Sequence, residues 1–264
     1  MIFDKIAYTF AFLFGLATGS FLNCLIYRLE IGEKPTGNSF CPRCKNKLSA
    51  IDLIPILSYV FLKGRCRYCD EKISIQYPLV ELLTGAIFLS TLFYVGLPAT
   101  LFEVASLIFI LICFSLLVVI FVYDLKHYII LNKIIYPAIL AALGYIILEV
   151  LMSQNIIILV NHLVTGILFF LFFFSIYLIT SGEGIGFGDV RYSFFLGLFL
   201  GFPAGLIGLF FSFIIGAIIG ILLIIFGDKG RKDVIPFGPF LVAGTFVAFF
   251  FSELIIEIYF YILL

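Results

Sequence analysis

The chain has 264 residues, 63% of them hydrophobic and only 12% charged, with a formal net charge of zero. Several apolar runs reach the roughly 20 residues that cross a bilayer, which excludes an ordinary soluble globule and predicts an all-α polytopic membrane protein. The zero balance says nothing about partners, so the placement of the charges carries the information.

The first run, from about Ile6 to Tyr27, ends at Arg28. It is too long for the core of a cleaved signal and Asp4 offsets Lys5, so residues 1–29 read as a retained first helix. Cys24 follows Asn23 rather than a small residue and does not read as a lipoprotein site. Residues 30–77 form the only long polar region and carry Lys34, Arg43, Lys45, Lys47, Lys63, Arg65, Arg67 and Lys72. Cations at that density beside membrane ends mark the cytoplasmic side. Residues 78–264 are then a membrane-embedded region, with spans near Pro78 to Val95, Leu101 to Tyr123, Ile129 to Leu151, Ile156 to Thr180, Val190 to Leu200, Ala204 to Phe226 and Phe237 to Phe260. Together with the first helix this predicts about eight transmembrane helices. Val190 to Leu200 is short, and Gly201-Phe202-Pro203 suits a kinked or broken helix. Alternation places the long loop, Asp124 to Lys133, Ser181 to Asp189 and Gly227 to Pro236 on the cytoplasmic side. The opposite connections, near Gly96, Gln154 and Phe202, contain no cation.

Within the long loop, Cys41-Pro42-Arg43-Cys44 and Cys66-Arg67-Tyr68-Cys69 are two C-x-x-C hooks at the ligand spacing of a closed tetrahedral thiolate zinc site. A pair of disulfides or a redox C-x-x-C competes with that reading. A reducing compartment and the lack of a thioredoxin-like βαβ pattern favour zinc. Cys24 and Cys113 lie in apolar runs and read as packing residues. Tyr59, Phe61 and Tyr68 are the main aromatic residues available to stack bases, too few for a nucleic-acid surface, so no nucleic-acid partner is expected.

Two acids stand at predicted helix boundaries on the same side: Asp124 in Tyr123-Asp124-Leu125-Lys126-His127-Tyr128, and Asp189 at the end of Gly184-Ile185-Gly186-Phe187-Gly188-Asp189. Glycines at alternate positions permit close backbone approach and dihedrals closed to other residues. An ionisable group at the edge of a membrane span suggests a functional site. The plain alternative for Asp189 is a helix cap. A carboxylate pair sharing a proton is the machinery of aspartic proteolysis, one acid acting as base on water and the other protonating the carbonyl oxygen and then the leaving amine. His127 reads as a surface residue and His162 as a satisfied buried one, and neither has a Ser or Cys arrangement for a nucleophilic triad. Glu81, Glu103 and Glu149 lie within or at the ends of spans and read as interfacial carboxylates that reach water.

The chain resembles the bacterial type IV prepilin peptidases, a bifunctional leader peptidase and N-methyltransferase family of GxGD aspartic proteases, over nearly its whole length. The resemblance is carried by Gly19-Ser20-Phe21-Leu22-Asn23 with Tyr27-Arg28-Leu29, by the two cysteine hooks, and by Asp52-Leu53-Ile54-Pro55-Ile56-Leu57-Ser58. It continues through Lys63-Gly64-Arg65-Cys66, Tyr77-Pro78-Leu79-Val80-Glu81-Leu82-Leu83-Thr84-Gly85, Gly186-Phe187-Gly188-Asp189 and Pro236-Phe237-Gly238-Pro239. It implies an enzyme of the bacterial cytoplasmic (inner) membrane, with its active site and cysteine loop facing the cytoplasm. Such an enzyme cleaves the basic leader of type IV prepilins or pseudopilins and methylates the new amino terminus with S-adenosylmethionine.

By motif, Asp124 and Asp189 are implied to be catalytic, with Gly186 and Gly188 in the active-site loop and Pro236, Phe237, Gly238 and Pro239 as a supporting motif. Cys41, Cys44, Cys66 and Cys69 would hold one structural zinc, and Gly64 and Arg65 would serve methyl transfer in the 30–77 region. Arg191 stands where the family more often has Lys, Ala50-Ile51 where an aromatic pair is usual, and Tyr59 where Trp is frequent. The aromatic departures bear on methyl transfer more than on proteolysis. Two other readings remain: a peptidase alone whose zinc loop only orders substrate, and a proton-coupled transporter with discontinuous helices.

Overall fold

The computed structural model describes residues 2–34, 36–227 and 235–263. Among them there is no strand, only two isolated antiparallel bridges, so the all-helical expectation holds. The chain divides into two compact units, Met1–Ala99 and Thr100–Leu264.

In the first unit, α1 (Ile2–Glu30) packs along α3 (Gln76–Val95). Gly15 and Gly19, one helical turn apart, make the contact possible. A Cβ at Gly15 would come within 2.8 Å of the Gly85 Cα, and one at Gly19 within 2.7 Å of the Glu81 Cα. Small residues four apart let two apolar helices approach closely where lipid supplies no hydrophobic drive. Between the helices runs the polar loop, with a short 3-10 turn (Ala50–Leu53) and a five-residue helix, α2 (Leu57–Phe61). Asn23, inside α1, ties the unit together by donating to the Tyr77 carbonyl at 3.0 Å and accepting from the Gln76 side chain. The loop is therefore fastened at both of its ends, and α3 belongs with α1.

The second unit contains α4 (Leu101–His127), α5 (Asn132–Ser153), α6 (Ile156–Ile179), α7 (Phe187–Leu200), α8 (Ala204–Phe226) and α9 (Gly238–Leu263). Seven helices of the described chain are long and apolar enough to cross a membrane. The expected eighth, α7, has only 14 residues, about 21 Å at 1.5 Å per residue. The short helix falls where a short or broken span was expected, and α7 packs against α5, α6, α8 and α9. Val190, Tyr192, Phe195, Leu196, Leu198 and Phe199 are all buried, and the Tyr192 hydroxyl pairs with Thr245 of α9 at 2.9 Å.

α7 still runs back along α6. Its Leu198 carbonyl contacts His162 Nδ1 at 2.7 Å, and Asn161 holds the backbone of Phe202 through both its amide groups. The Gly201-Phe202-Pro203 turn therefore separates two helices rather than kinking one. Gly166 and Gly197 supply the close approach of α6 to α7, as Gly208 and Gly244 do for α8 and α9.

Candidate active site and metal centre

α4 continues one turn past its expected end at Tyr123. It stops at Tyr128, whose left-handed backbone (φ 60°) lets its N–H bond the Asp124 carbonyl at 2.9 Å. Lys126 and His127 fill the last turn, where cations suit the helix dipole. Asp124 thus projects from a regular helix instead of a loop, and it is only 4% exposed. Gly238, the first residue of α9, donates its backbone N–H to the Asp124 carboxylate. A Cβ at Gly238 would stand 2.5 Å from Asp124 Oδ2. The glycine of the Pro236-Phe237-Gly238-Pro239 motif is required by that approach, which no spacing in the sequence displays.

Asp189 is the third residue of α7, and its Oδ2 accepts the Gly186 N–H at 3.2 Å. The capping role and the functional role fall on the same carboxylate, because an acid in the first turn of a helix satisfies an orphan N–H and the helix dipole together. Ile130, buried in the short α4–α5 connection, lies against both neighbouring glycines. A Cβ at Gly188 would come within 2.9 Å of its Cβ, and one at Gly238 within 3.1 Å of its Cδ1. Ile130 was not singled out in the sequence, where one more isoleucine in an apolar run carries no signal.

Gly184, Gly186 and Gly188 have no positive φ; the left-handed residues of this loop are Ser181 and Gly182. The alternate glycines serve close approach alone. Gly184 lies against Thr180, Gly186 against the Asp189 carboxylate and Gly188 against Ile130. Phe237 stacks on Phe173 and meets Phe213 at a tilt, with Pro236 half-buried and Pro239 buried. Residues 228–234 of the expected Gly227 to Pro236 connection lie outside the described residues. Arg191 stacks on Phe187, 4.4 Å from the ring centroid, and bonds the Asn132 side chain at the start of α5. His162 is satisfied by a backbone carbonyl and His127 is exposed, as expected. Glu81 is not a carboxylate that reaches water. It is 7% exposed and accepts the Ile56 N–H at 2.7 Å.

In the first unit the four sulfurs of Cys41, Cys44, Cys66 and Cys69 all lie within 4.8 Å of one another, and Cys41 and Cys69 are 3.9 Å apart. A zinc ion with ligand bonds of about 2.3 Å needs sulfurs about 3.8 Å apart at the edges of its tetrahedron, so the donor set fits. All six cysteines are free thiols.

The hooks are two copies of one turn. Cys41 N–H bonds the Asn46 carbonyl and Cys66 N–H that of Glu71, while Lys45 and Asp70 each return to the first cysteine carbonyl. Lys45 and Asp70 both take positive φ, and the bridges Phe40 to Lys47 and Arg65 to Lys72 close each copy. The repeat was visible as C-x-x-C-x-x-K recurring from Cys41 and Cys66, ending at Lys47 and Lys72.

Gly64 takes φ +69°, with the Tyr59 ring 3.1 Å from where a Cβ would be, and Arg65 pairs with Asp70 at 2.7 Å. Asp52 pins the second hook. It accepts from Arg67 Nε at 2.6 Å, from Ser49 N–H and hydroxyl at 3.0 and 2.7 Å, and from the Tyr68 hydroxyl at 3.3 Å. Burial works to raise its pKa, but the bonds from Ser49 and Arg67 outweigh it and hold the carboxyl below the usual range.

Two acids at helix ends and a cluster of four sulfurs occur here in one chain. Residues 13–95 match the family described as the bacterial peptidase A24 N-terminal domain, and residues 111–221 match the type IV leader peptidase family. A protein of Bacillus subtilis (strain 168) named prepilin leader peptidase/N-methyltransferase is 32% identical, with 94% of this chain and 96% of that protein covered. The chain belongs to the type IV leader peptidase family. Proteins of the same name from Aeromonas hydrophila and Legionella pneumophila are 31% and 32% identical, with 96% and 94% of this chain and 93% and 92% of theirs covered. No solved structure matches. As a member of this peptidase family the chain is a multi-pass membrane enzyme.

Proposed function

We propose that this leader peptidase removes the basic leader of type IV prepilins or pseudopilins at the cytoplasmic face of the inner membrane and then N-methylates the new amino terminus. The observation that carries the reading is the convergence of Asp124 and Asp189, from two different helices, around Gly238 and Ile130. In this mechanism the ionised acid takes a proton from water as the water oxygen attacks the scissile carbonyl carbon. The protonated acid gives its proton to the carbonyl oxygen, and the tetrahedral intermediate collapses with proton transfer to the leaving amine. A prepilin carries an apolar helix with a basic leader outside it, so its scissile bond falls where a membrane-edge dyad can reach it.

Cys41, Cys44, Cys66 and Cys69 would hold zinc as a closed structural site that orders the 30–77 region. Methyl transfer from S-adenosylmethionine is assigned to that region, with Gly64 and Arg65 beside the second hook, on the strength of the relatives' printed name. Proteolysis is assigned within residues 78–264.

The test is leader removal from a prepilin by purified Asp124→Asn and Asp189→Asn proteins, read by mass spectrometry. Each variant is expected to insert normally and to lose cleavage, because an amide neither takes the water's proton nor returns one. Appreciable cleavage by either would remove that residue from the mechanism.

A further inference from the structure

The polar loop exposes an apolar face. On the five-residue α2, Leu57, Val60 and Phe61 fall at i, i+3 and i+4 and are all exposed, Phe61 at 80%. Ile51 and Ile54 on the preceding turn, and Ile75 at the start of α3, are exposed as well. Large apolar patches left in water usually mark an interaction site.

What covers this one follows from its depth along α3. Ile56, at the start of α2, holds a conformation (φ 61°, ψ −50°) that a β-branched residue very rarely adopts. It is fixed there by the bond from its N–H to Glu81. Glu81 is the sixth residue of α3, about 7 Å along the helix from its first residue. The start of α2 is therefore tied beside the apolar part of a membrane-spanning helix, not above its end. Around Glu81, Leu79, Leu82 and Leu83 are exposed on α3 as a lipid-facing surface. Lys63, just beyond α2, and Lys47 and Lys72 are exposed and basic, suited to anionic headgroups.

We propose that α2 and its flanking turns form an interfacial anchor, lying in the headgroup and acyl boundary of the leaflet at which α3 begins. An amphipathic element with its apolar face about 5–10 Å deep and cations beside it is the physical form of such an anchor. Glu81 is then the positioning residue that sets its depth. The inference goes beyond the proposed function and does not depend on which side of the membrane the loop occupies.

The chain contains no tryptophan, so Phe61→Trp gives a single reporter at an exposed position, and Val60→Trp a second one. The full-length variants are reconstituted in vesicles of phosphatidylethanolamine and phosphatidylglycerol, with and without acyl-chain bromination. Without any prepilin, bromolipid is expected to quench the emission by roughly half and the ring to be shielded from aqueous acrylamide, as for an aromatic at the headgroup boundary. Free quenching by acrylamide with no effect of bromolipid would overturn the proposal. Shielding that appears only when prepilin is added would overturn it too, and would assign the face to a protein partner.

Discussion

Asp124 shows how one backbone atom can govern the position of a group proposed to be catalytic. With the Gly238 N–H donating to its carboxylate and no space for a side chain there, Gly238→Ala must push either α9 or Asp124 aside. Displacement of a reacting group by about 1 Å is worth roughly a hundredfold in rate, so the variant is expected to lose cleavage at about that scale while retaining its zinc content. Cleavage within a few-fold of the parent protein would show that the glycine serves packing only. Asp52 is the corresponding residue of the loop, where one carboxylate holds both Ser49 and Arg67. Asp52→Asn keeps the shape and removes the charge. The expected loss is about 1 kcal/mol, below the usual range for charged hydrogen bonds because Arg67 is half exposed. It is to be read as easier stripping of zinc by a chelator, with cleavage unchanged.

The cysteine hooks and the acids are held by different elements in different units, so their chemistries are expected to separate. Gly64→Val places a β-branched side chain at φ +69° against the Tyr59 ring, which strains the turn entering the second hook. Mass spectra of a prepilin treated with this variant and S-adenosylmethionine should show a cleaved product lighter by one methyl group, about 14 Da. Loss of both activities would mean that the loop presents substrate to the acids. Replacing Cys41 and Cys66 together leaves two sulfurs, one in each hook, and two ligands do not hold a closed tetrahedral site. The parent protein should contain about one zinc per chain and the double variant none, as read by elemental analysis. A metal-free parent protein would end the zinc reading.

For the molecule as a whole, the distribution of cations sets the orientation to be tested. Cysteines introduced near Gly96 or Gln154 should react with an impermeant reagent from outside, and those near Lys45 should not. The reverse pattern would leave the acids on the wrong side for a cytoplasmic leader. Much of this architecture was legible beforehand because hydropathy acts over some twenty residues at a time and so survives local detail. α7, legible only as a short span, marks the limit of that averaging. Hydropathy cannot tell an apolar helix facing lipid from one surrounded by other helices, and the burial of Tyr192, Phe195 and Leu198 is a tertiary fact.

By itself the sequence determined the membrane class, the helix order, the sulfur donor set and the two acids. Each of these is written in composition, in short spacing or in a local motif. Only the tertiary structure decided that Gly238 and Ile130 belong with Asp124 and Asp189, that Glu81 anchors the strained turn at Ile56, and that α7 is an interior helix. Those relations join residues tens of positions apart through close packing. No periodicity within the chain encodes a contact that exists only once the helices have met.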